Sequence, residues 1–122
     1  MESDIEMQTL VRLRKLGGDE LIAKMVTLFT SQAESAIQEA ESGLSTGNFD
    51  SVQRAAHSLK SSAGNLGAQR VQDLAGRIEQ LAEERSEKIQ PLLADLKAAY
   101  LKAKGRLAEE IREGNQVEDS DR

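Results

Sequence analysis

The chain has 122 residues, a formal net charge of −5, 39% hydrophobic residues, only 2% aromatic residues and no cysteine. That length and apolar content suit one core rather than two, and with so few rings the core must be aliphatic, which favours closely packed helices. The acidic balance excludes nucleic acid as the main partner, and the lack of cysteine excludes a disulfide framework or a thiolate metal site.

Apolar residues recur at three-to-four spacing and no stretch alternates as a strand would, so the spacing predicts an all-α protein of five helices. The opening Met1-Glu2-Ser3-Asp4-Ile5-Glu6 is acidic where a secretory signal would be basic and then apolar. No long uncharged apolar run follows, so a cytoplasmic protein with no membrane contact is expected. The first helix, about residues 5 to 16, carries Ile5, Leu10, Leu13 and Leu16 on its apolar side and stops at Gly17-Gly18. Asp19 can cap a second helix that runs to about residue 45 on Ile22, Met25, Val26, Phe29, Ala33, Ile37, Ala40 and Leu44. Leu21 and Leu28 fall about 110° off that stripe and need a cover, for which the short first helix is the expected candidate.

Gly47 ends this segment, Asn48 is a good N-cap for the third helix, and Asp50 sits in the first turn, where a negative charge suits the helix dipole. The third helix should end near Gly67. A fourth follows on Val71, Leu74, Ala75, Ile78, Leu81 and Ala82, with Gly76 allowing close packing. A fifth begins near Lys88 to Pro91 and continues on Leu92, Leu93, Leu96, Tyr100, Ala103 and Leu107. Residues 113–122 are polar and acidic and lack apolar periodicity, so a disordered acidic tail is expected beyond a domain of residues 1–112. Four long helices joined by short loops predict an up-down-up-down antiparallel four-helix bundle, with the short N-terminal helix packed across one end.

The third helix holds the candidate chemistry. Val52, Ala56, Leu59, Ala63 and Leu66 cluster on one side of it and must be buried. His57, the only histidine in the chain, points about 140° from the centre of that stripe, with Ser61 at about 180°, Gly64 at about 120° and Lys60 at about 80°. The imidazole therefore faces water, with a cation on its flank and a residue lacking a side chain two turns along. A histidine taken alone is more often packed or incidental, and a surface lysine is usually just solvated. An unprotonated imidazole nitrogen is nevertheless a nucleophile that can hold a phosphoryl group as a phosphoramidate, and a nearby lysine can neutralise the spread-out charge of transfer. No Walker-type glycine loop is present, so the chain is not a kinase by itself. One histidine without cysteine also leaves no metal or haem ligand set.

The run Ala56-His57-Ser58-Leu59-Lys60-Ser61-Ser62-Ala63-Gly64-Asn65-Leu66-Gly67-Ala68 resembles the signature of histidine-containing phosphotransfer (HPt) domains. Leu13-Arg14-Lys15-Leu16-Gly17-Gly18-Asp19-Glu20-Leu21, the hydrophobic stretch to Phe29 and Gly47-Asn48 extend the resemblance to about residues 5 to 100. It implies a stand-alone phosphorelay carrier. His57 would take a phosphoryl group from an aspartate of one receiver domain and pass it to an aspartate of another, with Lys60 stabilising charge and Gly64 giving the partner access. Ser61 stands where the family often has glycine, and its hydroxyl is small enough for close approach and offers a hydrogen bond to the phosphoryl group. The implied partners are receiver domains of response regulators and hybrid histidine kinases, each bringing its own Mg²⁺, while this chain works as a monomer without a cofactor. Composition alone also fits an alternative: a helical adaptor or scaffold that binds a partner and never carries phosphate.

Overall fold

The computed structural model describes residues 4–120, with side chains described over 4–111. The described residues form four helices and no strand: α1 (Met7–Thr46), α2 (Phe49–Asn65), α3 (Gln69–Glu83) and α4 (Ile89–Ser120). The connections are a few residues each, as the glycine and polar punctuation of the sequence requires.

The expected stop at Gly17-Gly18 takes a different form. Gly18 alone leaves the helix, at φ 69° and ψ −166°, a combination essentially restricted to glycine. The chain then re-enters helix at once, so the expected first and second helices are one element with a one-residue kink. Asp19 directs its carboxylate to Arg14 Nε, 3.0 Å away. Ahead of the kink, Glu6 N–H donates to the carbonyl of Gly67 at 2.7 Å, while the Arg14 guanidinium reaches the backbone carbonyl of Glu110 at 3.3 Å and its carboxylate at 3.5 Å. Ile5 and Leu10 are buried there. This segment is thus anchored on the α2–α3 turn and on the far part of α4, and two expectations fail as a result. Leu16, assigned to the buried side, is 79% exposed, and Leu28, expected to be covered, is 57% exposed. Leu21 is partly buried and packs back on Gly17, where an added Cβ would lie 2.7 Å from the Leu21 Cβ.

α2 starts as the sequence predicts. The Asn48 side chain accepts from the Ser51 backbone N–H at 3.1 Å, and Asp50 occupies the first turn. The buried positions Val52, Ala55, Ala56, Leu59 and Ala63 form the expected stripe, each Val or Leu contributing about 1.5–3 kcal/mol relative to exposure. The helix closes through Gly67, whose φ of 73° is left-handed, while Ala68 N–H donates back to the Ala63 carbonyl at 2.9 Å. In α3 the buried residues are Val71, Leu74, Ala75, Ile78 and Ala82. In α4, Leu93, Leu96, Tyr100, Ala103 and Leu107 face the core, and the Tyr100 ring meets Phe29 of α1 edge-on with centroids 5.8 Å apart. The α4 backbone remains helical to Ser120, past residue 112 where a disordered tail is expected to begin. Extending an existing helix needs no new nucleus, so polar residues 113–120 can follow its path without an apolar stripe. Residues 121 and 122 lie outside the described residues.

The core lies where α1 packs on α2 and α4, and where α3 packs on the same two helices. Polar pairs along these contacts run in reversed order. Gln53 meets Glu83 and His57 meets Glu79 between α2 and α3; Glu34 meets Lys104 and Glu41 meets Lys97 between α1 and α4; Gln32 meets Ser62 and Glu39 meets Ser51 between α1 and α2.

Candidate functional site

The apolar stripe of α2 fixes the helix by burial and turns His57 outward, leaving its side chain 63% exposed. The ring is nevertheless held at one edge. Its Nδ1 lies 2.7 Å from Oε2 of Glu79 on α3, and Oε1 of the same carboxylate accepts from Lys60 Nζ at 2.6 Å. Glu79 is itself largely buried, its side chain 14% exposed. One carboxylate of α3 therefore ties together the two α2 residues that the sequence singles out.

The packing of α3 makes this bridge possible. A Cβ on Gly76 would lie 3.3 Å from Lys60 Cδ, so the absence of a side chain there leaves room for the lysine stem to lie across α3 and deliver its ammonium to Glu79. Gly64, expected as cleared space for a partner, is half-buried and sits beside Gln72, whose amide nitrogen would be 2.8 Å from an added Cβ. Ser61 is exposed, one turn beyond His57. His57, Lys60 and Gly64 thus share the α2–α3 groove, while Ser61 stands on the solvent side of it.

Two effects act on Glu79. Burial pushes its carboxyl upward, but the hydrogen bonds and charges of Lys60 and His57 outweigh that and hold it below the usual carboxylate range. Glu79 therefore stays an anion that only accepts hydrogen bonds. The ring atom facing it must carry the proton, so a neutral imidazole here has its lone pair on Nε2, the nitrogen turned away from α3. The site accordingly presents a nucleophilic nitrogen in a fixed tautomer, with a lysine alongside. Among the described residues no cluster of His, Cys, Asp and Glu is arranged to hold a metal ion, and no helix is long and apolar enough to cross a membrane.

Glu79 and Gln72 are the residues that sequence reasoning missed, whereas Gly76, read from the sequence as a place of close packing, is where the Lys60 stem crosses α3. Their signal was present but weak: Gln72, Gly76, Glu79 and Glu83 form a second stripe beside the apolar one of α3, with one glycine among three long polar residues.

The Hpt domain family pattern matches residues 24–116. Among solved structures, histidine-containing phosphotransfer protein B (HptB) from Pseudomonas aeruginosa PAO1 is similar, with a TM-score of 0.85 at 17% identity, covering 93% of this chain and 98% of that one. At that identity the likeness is one of fold. No curated protein sequence matches the chain.

Proposed function

The chain belongs to the Hpt domain family, and from that premise we propose that it is a histidine phosphocarrier that accepts a phosphoryl group from a receiver-domain aspartate and passes it to another. The observation that carries this reading is the exposed His57 ring whose Nδ1 is engaged by Glu79 at 2.7 Å, which leaves Nε2 as the reactive atom. Each transfer is an in-line displacement that depends on alignment and charge neutralisation. Glu79 sets the ring, and Lys60 lies close enough to swing part of its charge towards the incoming phosphoryl group. Ser61 adds a hydroxyl on the open side, and Gly64 keeps the groove shallow where a partner approaches.

The partners are receiver domains of response regulators and hybrid histidine kinases, which bring the Mg²⁺ that this chain does not hold. It works as a monomer in the cytoplasm and has no kinase activity of its own. The frame behind the site is an up-down-up-down antiparallel bundle with the short segment before Gly18 lying across the end that carries Gly67. The reversed order of the polar pairs and the Glu6-to-Gly67 hydrogen bond at 2.7 Å support that arrangement.

Incubation with phosphorylated receivers should place an acid-labile, alkali-stable label on the protein that is absent from His57→Gln. A wild-type protein that stays unlabelled across the receivers of its own organism, yet binds one of them equally well with His57→Ala, would point to an adaptor instead.

A further inference from the structure

His57 is flanked on α2 by two cations at equal spacing, Lys60 three residues after it and Arg54 three residues before it. Both are helical neighbours of the ring, at Cβ separations of about 5–6 Å. They stand on opposite sides of it: at about 100° per residue, Lys60 falls about 60° towards α3 and Arg54 about 60° the other way. The lysine is committed, since its Nζ donates to Glu79 at 2.6 Å, the carboxylate that also meets Nδ1 of the ring. The arginine is not. Its side chain is exposed and lines a groove between α1 and α2 with Gln32, Glu39 and Ser58, and among the described residues no hydrogen bond or ion pair holds it. The two carboxylates best placed to take it have other partners: Asp50, one turn earlier, lies 3.7 Å from Arg85, and Glu39 accepts from Ser51 at 3.2 Å.

We infer that Arg54 binds the phosphoryl group on His57, its guanidinium supplying positive charge on the side of the ring that Lys60 does not cover; the inference rests on the carrier reading above. Side chains on a helix lean towards its N-terminus, so the imidazole is tilted over the turn that carries Arg54. With one edge of the ring held against α3, the reactive nitrogen opens to the other flank, and an arginine stem that nothing holds has the rotamers to bring its guanidinium alongside. A guanidinium suits this place because it is always charged, planar, and able to set two parallel N–H groups on two phosphoryl oxygens. In transfer, the N–P bond forms as the aspartyl O–P bond breaks and its electron pair leaves with the aspartate carboxylate. Arg54 gives up no proton in that step. It acts only through hydrogen bonds to the equatorial oxygens, over which the charge of the transferring group is spread.

The first arm of the test needs no receiver. Protein labelled with ¹⁵N at arginine is treated with phosphoramidate, and the Arg54 Nε–H resonance, assigned by its loss in Arg54→Gln, is followed by NMR. It should shift on phosphorylation of the wild type and stay in place when His57→Gln is treated in the same way. The second arm measures transfer from the phosphorylated protein to a receiver. Arg54→Gln should slow it about tenfold, the effect of one hydrogen bond to a charged group, and Arg54→Lys, which keeps the charge without the planar fork, should recover part of the loss. A resonance that phosphorylation leaves unmoved would overturn the inference even if transfer slowed, because the arginine would then be touching the receiver. Transfer from Arg54→Gln as fast as from wild type, or faster, would overturn it too. If the resonance shifts but no receiver exchanges label with the wild type, the carrier reading fails while the contact between Arg54 and the phosphoryl group stands.

Discussion

Replacing Gly67 with alanine tests how the segment before Gly18 is seated. Gly67 sits at φ 73°, and a side chain in that left-handed region costs about 1 kcal/mol. In addition, the new Cβ would lie 2.9 Å from Thr9 Cβ and 3.0 Å from the Glu6 carbonyl oxygen. That oxygen accepts from Thr9 N–H at 3.1 Å, and Glu6 N–H donates to Gly67 itself at 2.7 Å. Relief of the clash therefore requires the segment to lift, losing a buried hydrogen bond worth about 1 kcal/mol and part of the packing of Ile5 and Leu10. The expected total is about 2–3 kcal/mol. Gly47→Ala is the internal comparison, because Gly47 has a similar φ of 75° with nothing within 4 Å of the added Cβ; it should cost only the conformational part, about 1 kcal/mol. Urea unfolding followed by far-ultraviolet circular dichroism measures both. If Gly67→Ala is no more costly than Gly47→Ala, the segment is not seated on the α2–α3 turn and the reasoning fails.

Three further outcomes follow from the packing and the charges. Leu59→Ala, which empties a fully buried site on the helix carrying His57, should destabilise by about 2–5 kcal/mol in the same assay. The Tyr100 phenol is pushed upward first by burial and then by Glu34, whose carboxylate accepts a hydrogen bond from its O–H at 2.8 Å; its contribution is therefore complete below the usual phenol value of about 10 and is lost as pH rises further. Tyr100→Phe should cost about 1 kcal/mol near neutrality and abolish that alkaline loss, as read from stability against pH. Glu79 is depressed in the folded state, so its contribution is present above the usual carboxylate value of about 4 and disappears as pH falls through the folded value. Acid unfolding of wild type should accordingly be steeper than that of Glu79→Gln, and parallel curves would contradict the Glu79 bridge.

Much of this architecture was legible because burial imposes a period. The stripe Val52, Ala56, Leu59 and Ala63 is enough to orient α2, and orienting α2 is enough to expose His57. Asn48 could be read as a cap from its side-chain chemistry and its position after Gly47. The pairing that finishes the site was not legible, since Glu79 lies 22 residues from His57 and meets it only through the register of α3 on α2. Periodicity gives the face that a helix buries; it does not give the height at which its flanking residues stand against a neighbour. Leu28 shows the same limit from another side. Its displacement from the stripe was readable, but the path of the segment before Gly18 depended on Gly67 and Glu110, contacts that no local pattern encodes. Gly18 itself was readable as a breaker, though not as one that bends a single helix at one residue.

The central claim is that the exposed Nε2 of His57 relays a phosphoryl group between two receivers. A three-component assay tests it most directly: a phosphorylated receiver as donor, this protein, and a second receiver as acceptor, with label followed over time on all three. Label should pass through His57 before reaching the acceptor, and His57→Gln should leave it on the donor. Equal transfer to the acceptor in the presence of His57→Gln would contradict the account.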